Sequence, residues 1–364
     1  MSMLADQNPK QVAPGTCIKI PLPADFHHHF RQGSLLPSTV AHASRRFVAA
    51  LAMPNTSPPV TTVERCRAYR RDLEAALALA PEAVPGFEFI SVLYLTDSTT
   101  EETVREMHRE GIKGFKYYPA GATTNSDAGV TDVRNVYPLF KVMEELGMIL
   151  CVHSEVARVE IDVFDREKVF IAEILRPLVK DCPKLKIVME HISTSFGVDF
   201  ILNEAPPSVY GSITPHHLLH NRNAILSQGL RPHFFCLPVL KRESHRVALL
   251  NAATGGSGRF IMGTDSAPHD TTKKLSACGC AGVFVGHAAV EFYVEAFESV
   301  GKLDELETFI EAGKKLYGVE DGGRVMCLEK RSWRVPETYP FGETGDVTPL
   351  RAGEDVTWTI TGIE

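Results

Sequence analysis

The stretch Asp25-Phe26-His27-His28-His29-Phe30-Arg31 sets an acid, three imidazoles and a guanidinium between aromatic rings. The rings, and the Pro21-Leu22-Pro23 approach, predict a short buried strand, along which side chains alternate faces. Asp25, His27, His29 and Arg31 then share one face, and Phe26, His28 and Phe30 the other. Two imidazoles and an acid on one face at a strand end describe a metal site. His28 is expected to point away from it, packed or hydrogen-bonded, unless a bulge lets it displace a neighbour. Polar residues recur at the ends of later apolar runs: Asn55, Lys116, His153, His191, Asp265 and, just beyond, His269. Of the 14 histidines, those at 42, 108, 220, 245 and 287 fit scatter over the surface.

Four histidines and an aspartate exceed what one open zinc site takes. Two ions some ~3.5–4 Å apart need a bridging anion from the protein, and no spare carboxylate stands out at a strand end. Lys116, in "GFKYYP", is the odd member. A buried ammonium there would repel metal, whereas a neutral amine can add carbon dioxide and become a carbamate, a bridging carboxylate in effect. The plain alternative for a lone strand lysine is a snorkelling surface residue.

The elements that must position these groups follow from the apolar runs. Strands are expected at "ADFHHHF", "RFVAALAMP", "FEFISVLYL", "GIKGFKYYP", "MILCVH", "KIVMEH", "VYGSIT" and "RFIMGTD". Helical stretches fall between several of them: "TVERCRAYRRDLEAALALA", "TEETVREMHREG", "VYPLFKVMEELG", "DREKVFIAEILRPLVKD" and "SHRVALLNAAT". Eight strands alternating with helices over about 240 residues indicate a (β/α)8 barrel, whose sites form at the C-terminal strand ends. A doubly wound sheet competes, but no glycine-rich dinucleotide fingerprint follows the first strand. Residues 1–19 are expected to form an N-terminal tail and 20–322 the catalytic barrel. Residues 323–364 are read as a short extension of extended segments folded back onto it.

With 44% hydrophobic residues the chain can bury one large core. Its net charge of −7 and lack of a basic block argue against a nucleic-acid partner. No apolar run approaches ~18 residues, so no membrane span is expected, and the first residues show no secretory signal. Eight scattered cysteines read as reduced thiols rather than a disulfide framework, which suggests the cytoplasm.

The blocks "DFHHHFR", "AMPNT", "FKYYPAGATTNS", "CVHSE", "VMEHIST", "ITPHHLL", "RPHFFCLPVLK", "GTDSAPH" and "CGCAG" together resemble the class II dihydroorotases of the amidohydrolase superfamily. The resemblance runs from about Pro21 to Thr361. It implies two zinc ions per subunit, one held by His27, His29 and Asp265, the other by His153 and His191. Lys116, carbamylated to N6-carboxylysine, and a hydroxide would bridge them. It implies substrate contacts from Arg31, Asn55 and His269 to a carboxylate, from the backbone at Leu237 and Ala281 to the ring, and from His29 and His153. Thr123 and Thr124 would sit on a loop folding over the site; the alternative is a plain flexible turn. Asp265 would act as base and then acid. The family usually has an apolar residue where this chain has His28. The resemblance also implies a homodimer acting on a small molecule. Competing functions are another cyclic-amide hydrolase (hydantoinase, dihydropyrimidinase or allantoinase) and a non-catalytic scaffold relative; filled metal positions argue against the scaffold.

Overall fold

The computed structural model describes residues 12–227 and 229–364. Its barrel strands are β1 (Asp25–His28), β2 (Ala49–Ala52), β3 (Glu88–Ser91, resuming as Leu93–Tyr94) and β4 (Gly114–Tyr117). They continue as β5 (Ile149–His153), β6 (Lys186–Glu190), β7 (Val209–Ile213) and β8 (Phe260–Met262). Every strand pair along the wall is parallel. The interruption at Val92 splits the wall into two ladders that share β3. The ring closes where the Asp265 N–H donates to the His27 carbonyl (2.9 Å) and the His29 N–H to that of Ser266 (3.1 Å). All eight expected strands are present, and the fold is a (β/α)8 barrel.

The strands were legible because a parallel wall is covered on both faces and needs apolar residues on both. Every residue of β1, β2, β4 and β5 is buried. Where walls press closest only glycine fits: a Cβ on Gly114 would lie 1.8 Å from the Ile149 carbonyl oxygen. Outer helices begin on side-chain caps, with Thr62, Thr100 and Asp132 accepting from the backbone N–H groups of Arg65, Thr103 and Arg134. Several helices fall outside the sequence expectation. Ala289–Glu298 is one: Ala289 through Phe297 are all buried, so no polar face marks its period.

Short strands make up much of the chain beyond Gly323. Val325–Glu329 pairs antiparallel with Cys17–Pro21 on one side and Thr359–Ile363 on the other. Residues 17–19 therefore begin a strand and do not belong to a tail, because their backbone groups are spent on the extension. Residues 1–11 of that tail lie outside the described residues. A hairpin, Tyr339–Phe341 with Gly345–Val347, packs Phe341 and Val347 against Phe284 beside the barrel mouth. Among the described residues, no helix is long and apolar enough to cross a membrane.

Candidate metal centre

His27, His29 and Asp265 each bring one ligand atom to a common point, all within 4.8 Å of one another. His29 Nε2 lies 3.0 Å and His27 Nε2 3.5 Å from Asp265 Oδ1. The His191 ring stands between the two sides of the mouth, its centroid 5.0 Å from that of His27 and 4.8 Å from that of His153. Tyr118 lines the same cavity, and the fully buried Lys116 Nζ lies 5.0 Å above its ring. Among the described residues that amine has no hydrogen-bond partner, nor does His191 Nδ1.

Three of the residues at this mouth have left-handed backbone: Arg31 at φ 67°, His191 at φ 41° and Asp265 at φ 45°. Each such conformation costs roughly 1–3 kcal/mol in a residue with a side chain. Backbone bonds hold two of them, from the His191 N–H to Ser212 Oγ (2.7 Å) and from the Asp265 N–H to the His27 carbonyl. The turn at His191 breaks strand alternation, so consecutive Glu190 and His191 both serve the site. Glu190 is the strand-end carboxylate that the sequence reading missed. Its Oε2 takes His27 Nδ1 (2.9 Å) and the Ser212 hydroxyl (2.5 Å). A carboxylate there fixes the proton on Nδ1 and leaves the His27 Nε2 lone pair facing Asp265.

Asp25 was expected on the metal face and is not there. It accepts from the Thr264 N–H (2.8 Å), the Thr264 hydroxyl (2.6 Å) and the His27 N–H (3.1 Å), and lies 2.8 Å from His28 Nδ1. The register of β1 against β2 is irregular between Asp25 and His28, which lets these nominally opposed side chains meet. His28 is a bonded bystander despite that irregularity, its ring 4.4 Å from that of Phe30. His42 and His287, read as surface residues, are buried. The cysteines are all free, as expected.

Burial sets the charge state of the cluster. It pushes the His29 imidazole down to about 4 and lowers His153 and His191 as well. It also lowers the Lys116 ammonium. Burial opposes ionisation of Asp265, yet the hydrogen bond from His29 and the neighbouring imidazoles hold it well below the usual carboxylate range. Neutral imidazoles with an anionic carboxylate are the forms that bind metal. The donor set and the orphaned buried nitrogens fit a metal centre. A second cluster, His216, His217 and Cys236, lies deeper. There His217 already engages Thr214 Oγ1 (2.7 Å) and the Pro238 carbonyl (3.0 Å), and the Cys236 thiol donates to that same carbonyl.

Arg31, Asn55, Thr123, Thr124, Leu237 and Ala281 line the cavity that holds the metal cluster. Arg31 Nε donates to the Pro268 carbonyl (2.9 Å) and Nη2 lies 3.0 Å from His269 Nε2. His269 lines the wider adjoining cleft, 2.9 Å from the Ala281 carbonyl, and burial pushes its imidazole down to about 2. The loop carrying Thr123 and Thr124 is pinned at its base by paired bonds between 118–120 and Val130. Its tip lies down on the site: Asn55 Nδ2 donates to the Thr124 carbonyl and Asn125 Nδ2 to that of Asn55, both 3.1 Å.

Comparison with known proteins agrees with this geometry. Residues 24–206 match the Amidohydrolase family model. The chain is 50% identical over 347 residues to the dihydroorotase of Shewanella loihica, covering 95% of this chain and 99% of that one. The chain belongs to the dihydroorotase family. The family's crystal structures superpose closely. Dihydroorotase of Campylobacter jejuni has a TM-score of 0.86 at 31% identity, over 96% of this chain and 99% of its own. That of Saccharomyces cerevisiae, in complex with 5-fluoroorotic acid, has 0.84 at 31%, over 94% and 98%. The chain is accordingly a metal-dependent hydrolase of the amidohydrolase type that acts on a small molecule.

Glu190→Gln is expected to weaken metal retention roughly ten- to hundredfold by releasing the His27 tautomer; a chelator-competition titration matching the parent would contradict that role. Burial also holds His217 near 4 and His220 near 3. Below ~6.5 the unfolded chain takes up protons these neutral rings refuse, so stability is full above that pH and falls below it. The metal-free chain should unfold at less urea at pH 5 than at pH 7.5, and equal midpoints would contradict this.

Proposed function

We propose that this chain catalyses the reversible hydrolysis of L-dihydroorotate to N-carbamoyl-L-aspartate, a step of pyrimidine (UMP) synthesis. The observation that carries it is a half-buried guanidinium, Arg31, in one cavity with a His/His/Asp cluster, in a chain half identical to a dihydroorotase. Dihydrouracil and hydantoin, the substrates of the competing reading, have no carboxylate for Arg31 and Asn55 to hold. The planar guanidinium can bond both oxygens of a carboxylate.

In this proposal His27, His29 and Asp265 would hold one zinc ion, and His153 and His191 the second. Lys116, as N6-carboxylysine, would serve both ions, a reading supported by its burial and by an amine with no hydrogen-bond partner among the described residues. When bound, zinc supplies Lewis acidity, which polarises a carbonyl and brings the pKa of water toward ~7. Arg31, Asn55 and His269 orient the substrate carboxylate, and the backbone at Leu237 and Ala281 frames the ring. Asp265, held anionic, takes the proton released as water adds to the ring carbonyl and returns it to the departing amide nitrogen. Thr123 and Thr124 close over the ring and exclude bulk water. A catalytic barrel of residues 20–322 with a packed extension, a homodimer and a cytoplasmic setting complete the proposal.

The purified, zinc-supplied chain should open L-dihydroorotate in strong preference to dihydrouracil and hydantoin. Preference for the uncharged rings would keep the barrel and metals but overturn the carboxylate grip. Arg31→Lys should raise KM about tenfold or more with unchanged metal content, and an unchanged KM would sink that role.

A further inference from the structure

The segment that presents Ala281 to the cavity has little regular structure of its own. Between the short helix Thr271–Lys274 and the helix starting at Ala289 it runs as turns and isolated bridges. Its neighbour across the cavity, Phe235 to Pro238, is equally irregular. Such backbone needs an external anchor if it is to face a ligand at a fixed position.

Lys274 supplies one. Its side chain is buried, and Nζ donates to the carbonyls of Phe235 (2.9 Å), Cys280 (3.0 Å) and Gly282 (2.7 Å). An ammonium has three protons and no acceptor capacity, so all three are spent on backbone oxygens. Two of those oxygens flank Ala281 on either side, and the third belongs to the residue two before Leu237. The Gly282 N–H, donating to the Phe235 carbonyl (2.9 Å), joins the same two segments directly. The Ala281 carbonyl between them lies 2.9 Å from His269 Nε2 and 3.5 Å from the Thr124 hydroxyl. The lid loop and the Arg31–His269 pair thus meet the segment at the residue that Lys274 brackets.

Among the described residues no carboxylate comes within ion-pair distance of Lys274, and its helix is a single turn too short to need it. Burying an unpaired ammonium is unfavourable unless its donors are met, and here they are met only by the two segments that line the site. The segment also runs at close quarters at Gly282, where φ is 143° and a Cβ would lie 2.3 Å from the Ala267 carbonyl oxygen, so only glycine fits there.

We propose that Lys274 is a positioning residue for substrate. Its ammonium holds the backbone at Ala281 and Leu237 at the spacing that receives the ring edge, and so sets affinity rather than the rate of the bound complex. The inference rests on the function proposed above and adds a residue to it.

Two readouts on the full-length, zinc-loaded chain separate the possibilities for Lys274→Met. Hydrogen exchange over residues 278–284 and 235–238 reads the backbone directly. KM for L-dihydroorotate, kcat, and the Kd of orotate, a planar ring that is not hydrolysed, read its consequence. The variant should exchange faster in both segments, raise KM and Kd about tenfold or more, and keep kcat within about threefold with the parent's metal content. Lys274→Gln, which keeps two donors, should fall between parent and Met, and it replaces Met if Met does not fold. Unchanged exchange, or faster exchange with unchanged KM and Kd, overturns the proposal. So does a fall in kcat at constant Kd, or loss of metal in both variants. A parent that ignores L-dihydroorotate, with exchange still quickened in the variant, overturns the proposed function and leaves Lys274 as the anchor of these segments.

Discussion

The seam between the first and last barrel strands is the constraint on which the site depends. Asp25 is fully buried there and gathers the N–H groups of His27 and Thr264, the Thr264 hydroxyl and the His28 ring. Above it the His27 carbonyl takes the Asp265 N–H. A buried carboxylate is tolerated only with its oxygens satisfied, so the seam has one arrangement in which Asp25 is content. That arrangement brings His27 and His29 of one chain end against Asp265, some 240 residues away. His28 belongs to this knot and not to the metal cluster.

Above the seam, geometry and electrostatics reinforce each other. Left-handed backbone at Arg31, His191 and Asp265 aims the three side chains inward, where an extended strand would send alternate ones away. Burial keeps the imidazoles neutral while their nearness keeps Asp265 ionised. The same dry surroundings disfavour an ammonium at Lys116. Neutral imidazoles beside an ionised carboxylate are the forms that bind a metal ion.

Much of this was legible in the sequence. The parallel wall needs continuous apolar runs, so its strands stood out, and the metal-cluster residues stood at their ends in types with few structural uses. Glu190 was hidden because it precedes His191, and alternation allows only one of two consecutive residues to face inward; the positive φ at His191 is a tertiary effect. Asp25 looked like a ligand because alternation placed it with His27, while the register irregularity joins it to His28. His42, His287 and the helix Ala289–Glu298 are buried where composition gave no periodic signal. Lys274 was invisible for a different reason: its acceptors are backbone carbonyls, which no residue type announces.

The central claim is that one barrel mouth, built on the β1–β8 seam, holds two metal ions across Lys116. Crystals of the zinc-loaded chain, measured at and below the zinc absorption edge, address it directly. The account predicts two anomalous peaks, one against His27, His29 and Asp265 and one against His153 and His191, with density extending Lys116 Nζ between them. A single peak, or a free Lys116 amine beside two ions, would contradict it.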